Sequence, residues 1–194
     1  MSDDRCFRID EEDIEDFRDQ RMPEYWVDSC RNWLSLLPKL NEAIDELTTA
    51  FANVRLGEGT GLHEATGIDD YACDEELQRL RALDEKEDWR KIPIERLNEC
   101  YAAPSFMNVE GFLFHLPAFL VAELNDRHPY GFIDHLINPD RQPQGWIKGL
   151  NEAQKNALAK VLEVVAHHPE YSVDPVRPEN AMRMRSTIDA LLVQ

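Results

Sequence analysis

The densest set of groups that could do chemistry is the run "DEKEDW", Asp84 to Trp89. Asp84 and Asp88 stand four residues apart, which on a helix puts one above the other. Carboxylates so paired, with Glu85 between them, suit acid–base work or a hard divalent cation such as Mg²⁺ or Ca²⁺. The run has no EF-hand spacing, and Lys86, Arg90 and Lys91 lie alongside it. A solvated helix end anchored by Trp89 is therefore the favoured reading.

The histidines are His63, His115, His128, His135, His167 and His168, and none belongs to an HExxH motif. His128 and His135 are seven apart, with Asp134 adjacent. Two imidazoles and a carboxylate can bind a transition metal. Their segment reads as loop, however, with no helical or strand register to aim them. His115 sits among Phe114, Leu116 and Phe119 and is expected to be buried and hydrogen-bonded rather than a base. No GxSxG elbow is present, and a pair such as Cys100 with His115 would have to meet in space. Cys6, Cys30, Cys73 and Cys100 form no CxxC pair and read as reduced thiols. No catalytic residue, metal or cofactor is assigned on these grounds.

The stretch "LGEGTGLHEATGIDDY" (Leu56 to Tyr71) holds four of the eight glycines. A phosphate cradle follows a buried strand and opens a helix. These glycines follow a helical pattern, match no GxxxxGK[ST] and include no lysine, while Glu58, Glu64, Asp69 and Asp70 would oppose a phosphate. The stretch reads as a connection, with Gly57 as a left-handed helix cap.

Charge is the strongest global signal: 38 acidic against 21 basic residues, net −17. Residues 1–100 hold 27 of the acidic and 13 of the basic ones. Such a field repels nucleic acid and anionic membrane and speeds encounter with basic proteins. The first twenty residues are the most acidic part: Asp10, Glu11, Glu12, Asp13, Glu15, Asp16 and Asp19 flank Ile14 and Phe17. They form either a docked helix or an acidic arm, and the like-charge block leans toward the arm. With Asp84, Glu85 and Asp88, these seven are the candidate contacts for a basic protein partner, a toxin or an effector. Tyr25, Trp26 and Trp33 are available as aromatic anchors, although the two tryptophans also fit a core stripe.

The elements that must position these residues read as helices. Trp26, Cys30, Trp33, Leu34 and Leu37 share one face, and Pro38 breaks that helix and opens the next. Leu40, Ile44, Leu47 and Phe51 repeat at a 4-3-4 spacing. Leu77, Leu80 and Leu83 point inward from another helix, and Ile94, Leu97 and Tyr101 from a short one. Asn108 caps the apolar centre "VEGFLFHLPAFLVAEL", with Pro117 as a kink and a brief strand at residues 112–116 as the alternative. Residues 125–149 read as an irregular connection with one short helical turn. Asn151 and Gln154 resemble a capping box ahead of Leu158, Val161, Leu162 and Val165. The last helix starts near Pro178 and buries Ala181, Met184, Ile188 and Leu191. Few segments alternate with period two, so the expected fold is all-α: an acidic segment over residues 1–22 and a single helical domain over residues 23–194.

The blocks "AF.NV.LG.G.GL.EA..IDDY" (Ala50–Tyr71), "LDEKEDWRKIP" (Leu83–Pro93), "SFMNVEGFLFHLPAFL" (Ser105–Leu120) and "LNEAQKNALAKVLEVVA" (Leu150–Ala166) resemble an uncharacterised bacterial domain family. The likeness covers roughly residues 38–167 and brings no assigned activity. The family pattern often has Asp where Asn108 stands and Arg where Leu113 stands. An ion pair or site built on those two in relatives is lost here.

The acidic N-terminus lacks the apolar core of a secretory signal. The longest apolar stretch, Phe112–Ala122, is far short of the ~20 residues that span a bilayer. The expectation is thus a cytoplasmic protein with no membrane or direct nucleic-acid contact, of unknown oligomeric state. Its expected function is non-enzymatic docking of a basic protein, as an immunity protein or an adaptor. An enzyme with a carboxylate/His site and a nucleic-acid mimic are the alternatives.

Overall fold

The computed structural model describes residues 6–173 and 178–193. Its helices are α1 (Glu11–Asp19), α2 (Glu24–Ala50), α3 (Leu62–Asp69), α4 (Asp74–Arg81), α5 (Ile94–Glu99), α6 (Val109–Leu124), α7 (Phe132–Ile137), α8 (Glu152–Val165), α9 (Pro169–Ser172) and α10 (Pro178–Leu192). Short 3-10 turns cover Trp89–Lys91, Ala103–Phe106 and Trp146–Gly149. The fold is all-α, with no strand among the described residues. The chain divides into two compact units, Met1–Leu47 with Glu152–Gln194, and Thr48–Asn151.

In the first unit, the core gathers around Trp33. Its indole Nε1 donates to the Phe7 carbonyl at 3.0 Å, and the Phe7 and His168 rings lie 6.1 and 5.0 Å from it. Leu158, Val161, Leu162 and Val165 of α8 are buried as their spacing requires, and so are Met184, Ile188 and Leu191 of α10. Ala181 is exposed instead, and Asn180 takes the buried position beside it.

Pro38 does not break α2. It lies inside a continuous 27-residue helix, on the exposed side. There the carbonyl freed by its missing N–H can bind water. The buried positions Val27, Cys30, Trp33, Leu40, Ala43, Ile44 and Leu47 hold both halves to one core. Pro117 likewise sits inside α6, which is one helix, not a strand; nearly every residue from Gly111 to Leu124 is buried.

The second unit is centred on α6. Trp89 is buried, and its Nε1 donates to the Phe51 carbonyl at 3.0 Å. Residues 132–137 are a true helix with Phe132, Ile133, Leu136 and Ile137 buried, so this part of the connection carries core rather than loop. Leu77 and Leu80 of α4 are only half-buried, packed on Gly67 where a Cβ would meet the Leu80 side chain, and Leu83, beyond the end of α4, is exposed. Tyr101 also faces outward, stacked on Tyr130 with centroids 4.6 Å apart.

Three helices end in the same way. Arg21, Tyr71 and Asp126 follow the caps of α1, α3 and α6 with φ of 58°, 56° and 54°. Met22, Ala72 and Arg127 each donate back to the third-last helical carbonyl at 2.8–3.0 Å. This is the Schellman closure, whose left-handed position favours glycine. Here none of the three is glycine.

Candidate functional site

The acidic run at the N-terminus is a helix, not an arm. Asp10 caps it by accepting the Glu12 and Asp13 N–H groups at 2.8 and 3.1 Å, and Asp13 accepts the Asp10 N–H at 2.8 Å. This reciprocal box satisfies donors that the first turn leaves open. Ile14, 1% exposed, fixes the helix to its unit. At 100° per residue, Glu11, Glu12, Glu15, Asp16 and Asp19 fall on one face spanning about 140°, opposite Ile14 and Phe17. All five are exposed, and none makes an ion pair among the described residues.

The second acidic run is built differently. α4 stops at Arg81, so residues 84–88 are not helical and the expected stacking of Asp84 on Asp88 does not occur. The Asp84 side chain is only 2% exposed. Its Oδ1 accepts the His63 backbone N–H and the His63 ring Nδ1–H, both at 2.8 Å, and its Oδ2 accepts the Glu64 N–H at 3.3 Å. Asp84 thus caps α3 from 21 residues away, a task Gly61 at the cap position has no side chain to perform.

Glu85 accepts three backbone N–H groups, from Lys86, Glu87 and Asp88, at 2.8–3.1 Å. The bond from Glu87 does most to hold its carboxyl below the usual range. Asp88 caps the Trp89–Lys91 turn through Arg90 N–H and grips the Arg90 guanidinium at 2.7 and 3.1 Å. That guanidinium bond lowers its pKa. The solvated helix end is therefore a folded turn with Trp89 beneath it. The α1 carboxylates and these three belong to different compact units.

The glycine stretch is the connection expected, and its packing explains its composition. Gly57 has φ of 56°, but it lies beyond the end of α2, within the Leu56–Gly59 turn, and so does not cap the helix. Backbone meets backbone where Thr60 crosses Gly111, since a Cβ on Gly111 would collide with the Thr60 carbonyl. Asn108 locks the crossing: its Oδ1 accepts the Gly111 N–H at 2.9 Å, capping α6, and the Thr60 N–H at 3.0 Å. The Asn108 side chain is thus occupied by backbone, while Leu113 packs over Gly149.

His115 is buried, with its Nδ1–H on the Gly111 carbonyl at 2.7 Å, and burial lowers its pKa to about 4. His128 and His135 flank the stacked Phe119–Phe132 pair rather than converging. Burial lowers both to about 4. His128 bonds to Asn98 at 2.8 Å, while His135 Nε2 is buried without a hydrogen-bond partner. No group of three or more His, Cys, Asp or Glu among the described residues could hold a metal ion. Burial also raises the thiol pKa of Cys30, to about 11, and of Cys100, which disfavours the reactive thiolate. Of the proposed anchors, Trp33 is wholly buried, Trp26 half-buried and Tyr25 54% exposed.

Two features escaped the sequence reading. The His63–Asp84 pair joins residues 21 apart with no motif between them, and only the missing side-chain cap at Gly61 hints that a distant acceptor is needed. Tyr71, at the end of the "IDDY" block, is 96% exposed.

Comparison with curated proteins and with solved structures gives no match. A family profile described as "Family of unknown function (DUF6714)" matches residues 39–177, well over half of the chain. This span contains both the glycine connection and the Asp84–Asp88 turn, and the chain belongs to that family of unknown function.

Proposed function

We propose that this protein is a non-enzymatic acidic docking domain for a basic protein, acting in the cytoplasm as an immunity protein against a toxin or as an effector adaptor. One observation carries the reading. The five carboxylates on the outer face of α1 are exposed and make no ion pair among the described residues, while Asp10 and Asp13 secure the helix that presents them. A rigid row of like charge costs less to dock than a mobile arm, because its backbone is ordered before the partner arrives. Asp84 is buried beneath the surface; Asp88 is taken up by Arg90, and Glu85 commits one carboxylate oxygen to backbone N–H groups.

The test is affinity capture eluted by a salt gradient, followed by titration of the purified partner. The variant neutralises Glu11, Glu12 and Glu15 to Gln and Asp16 and Asp19 to Asn, leaving the capping box intact. The reading expects at least a tenfold loss of affinity at low salt and a flatter salt dependence. Unchanged affinity for every captured partner defeats it.

A second reading, an enzyme using a carboxylate/His site, is favoured by one observation. Asp84 holds the His63 Nδ1–H, an arrangement that leaves Nε2 as the basic nitrogen. A small-molecule ligand screen separates this reading from the first.

A further inference from the structure

The turn between α3 and α4 carries a side chain that the fold does not use. Tyr71 occupies the left-handed position of a Schellman closure, with its N–H on the Ile68 carbonyl at 3.2 Å and Ala72 N–H on the Gly67 carbonyl at 2.8 Å. Its ring is 96% exposed and touches no other ring among the described residues. Ile68, three residues earlier, is also exposed. Tyrosine, with an apolar ring and a polar tip, is enriched where partners meet.

The surroundings select the partner's chemistry. Asp69, Asp70, Asp74 and Glu75 flank Tyr71 in the turn and are exposed, and none makes an ion pair among the described residues. A second copy of this chain would bring like charge against like, and nucleic acid or anionic lipid would be repelled. A cation with a flat face satisfies both halves of the surface. Guanidinium stacks on an aromatic ring while its N–H groups reach carboxylates, whereas the ammonium of lysine is a hydrated point charge. We infer that the α3–α4 turn docks an arginine side chain of a basic protein, with Tyr71 as the stacking face and the flanking carboxylates as acceptors. The inference rests on the docking function proposed above for the sign of the partner's charge, and adds the residue type and the place.

The test uses the full chain and two fluorescent probes, nona-arginine and nona-lysine, read by anisotropy. The arginine probe is expected to bind more tightly than the lysine probe. Tyr71→Phe keeps the ring and should bind as the parent does. Tyr71→Gly removes the ring and relaxes the backbone, so it should melt no lower than the parent yet bind nona-arginine about fivefold more weakly. An unchanged affinity in Tyr71→Gly, or the same loss for both probes, overturns the inference. If Tyr71→Gly is silent while the neutralised α1 variant weakens binding, the inference falls and the docking reading stands. If neither probe binds at low salt, both fall. Self-association of the parent that disappears in Tyr71→Gly assigns the surface to a second copy and also overturns the inference.

Discussion

Asp10–Asp19 and Asp84–Asp88 look alike as strings of letters, and the fold treats them in opposite ways. In the first run, two carboxylates cap a helix and five face water without ion-pair partners among the described residues. In the second, each of Asp84, Glu85 and Asp88 is held by backbone N–H groups. A carboxylate that accepts several N–H bonds is an internal part of the structure. A carboxylate that accepts none contributes mainly to the field outside. Acidic composition alone therefore does not locate a docking surface, and the hydrogen bonds of each oxygen do.

The contrast breaks most visibly at Asp84. Asp84→Ala leaves the N–H groups of His63 and Glu64 and the His63 ring without their acceptor, beside a loop in which Gly61 approaches Asp84 closely. Losing a buried, charged acceptor of this kind costs about 3 kcal/mol. Urea unfolding should show that loss, and amide exchange should be fastest in α3. Should Asp84→Ala unfold like the parent, the two acidic runs would not differ as described.

Acid sharpens the difference by a second route. His115, His128 and His135 lie in the second unit with pKa values lowered to about 4 by burial, against an unfolded value of about 6.5. The unfolded chain takes up these protons first, so stability is full above pH ~6.5 and falls as the pH drops toward ~4. At ~1.4 kcal/mol per pKa unit, the loss is on the order of 3 kcal/mol per histidine over that window, with α6 and α7 opening before α1 and α2 in amide exchange. His135→Phe should flatten the decline, because it removes a titrating imidazole, with its unpartnered Nε2, from beside the Phe112 and Phe132 rings. Glu85 adds its own loss only below pH ~4, where a carboxyl with a lowered pKa is finally protonated.

These distinctions were only partly legible in the sequence. Regular spacing showed the helices: Leu40, Ile44, Leu47 and Phe51 are all buried. Asn108 was recognisable as a cap because the cap precedes its own helix by one residue. Pro38 misled because local propensity signals a break, whereas buried residues on both sides keep the helix continuous. Residues 84–88 misled because charge periodicity resembles a helix, while the contacts that fold them are a distant helix N-terminus and their own backbone. His63 and Asp84 could not have been paired from spacing, since nothing in either neighbourhood depends on the number of residues between them. The exposure of Tyr71 was hidden for a related reason. In the sequence, Tyr71 is only the end of the "IDDY" block, and its exposure follows from the left-handed helix end at which the backbone places it.

The smallest effects test the first run from the inside. Asp10→Ala removes the acceptor for the Glu12 and Asp13 N–H groups and should lower stability by about 1 kcal/mol in urea unfolding. Neutralising the five outward carboxylates should change it by less than about 0.5 kcal/mol, because opposing contributions cancel. Glu11 and Glu12 lie in the first turn, where negative charge favours the helix, and their loss is unfavourable. Asp16 and Asp19 lie toward the other end, where the same dipole opposes them, and their loss is favourable. Relief of repulsion in a chain of net −17 adds to the favourable side. A variant that keeps its stability but loses its partner would assign those five carboxylates to binding, whereas one that unfolds would make them part of the fold, as Asp84 is.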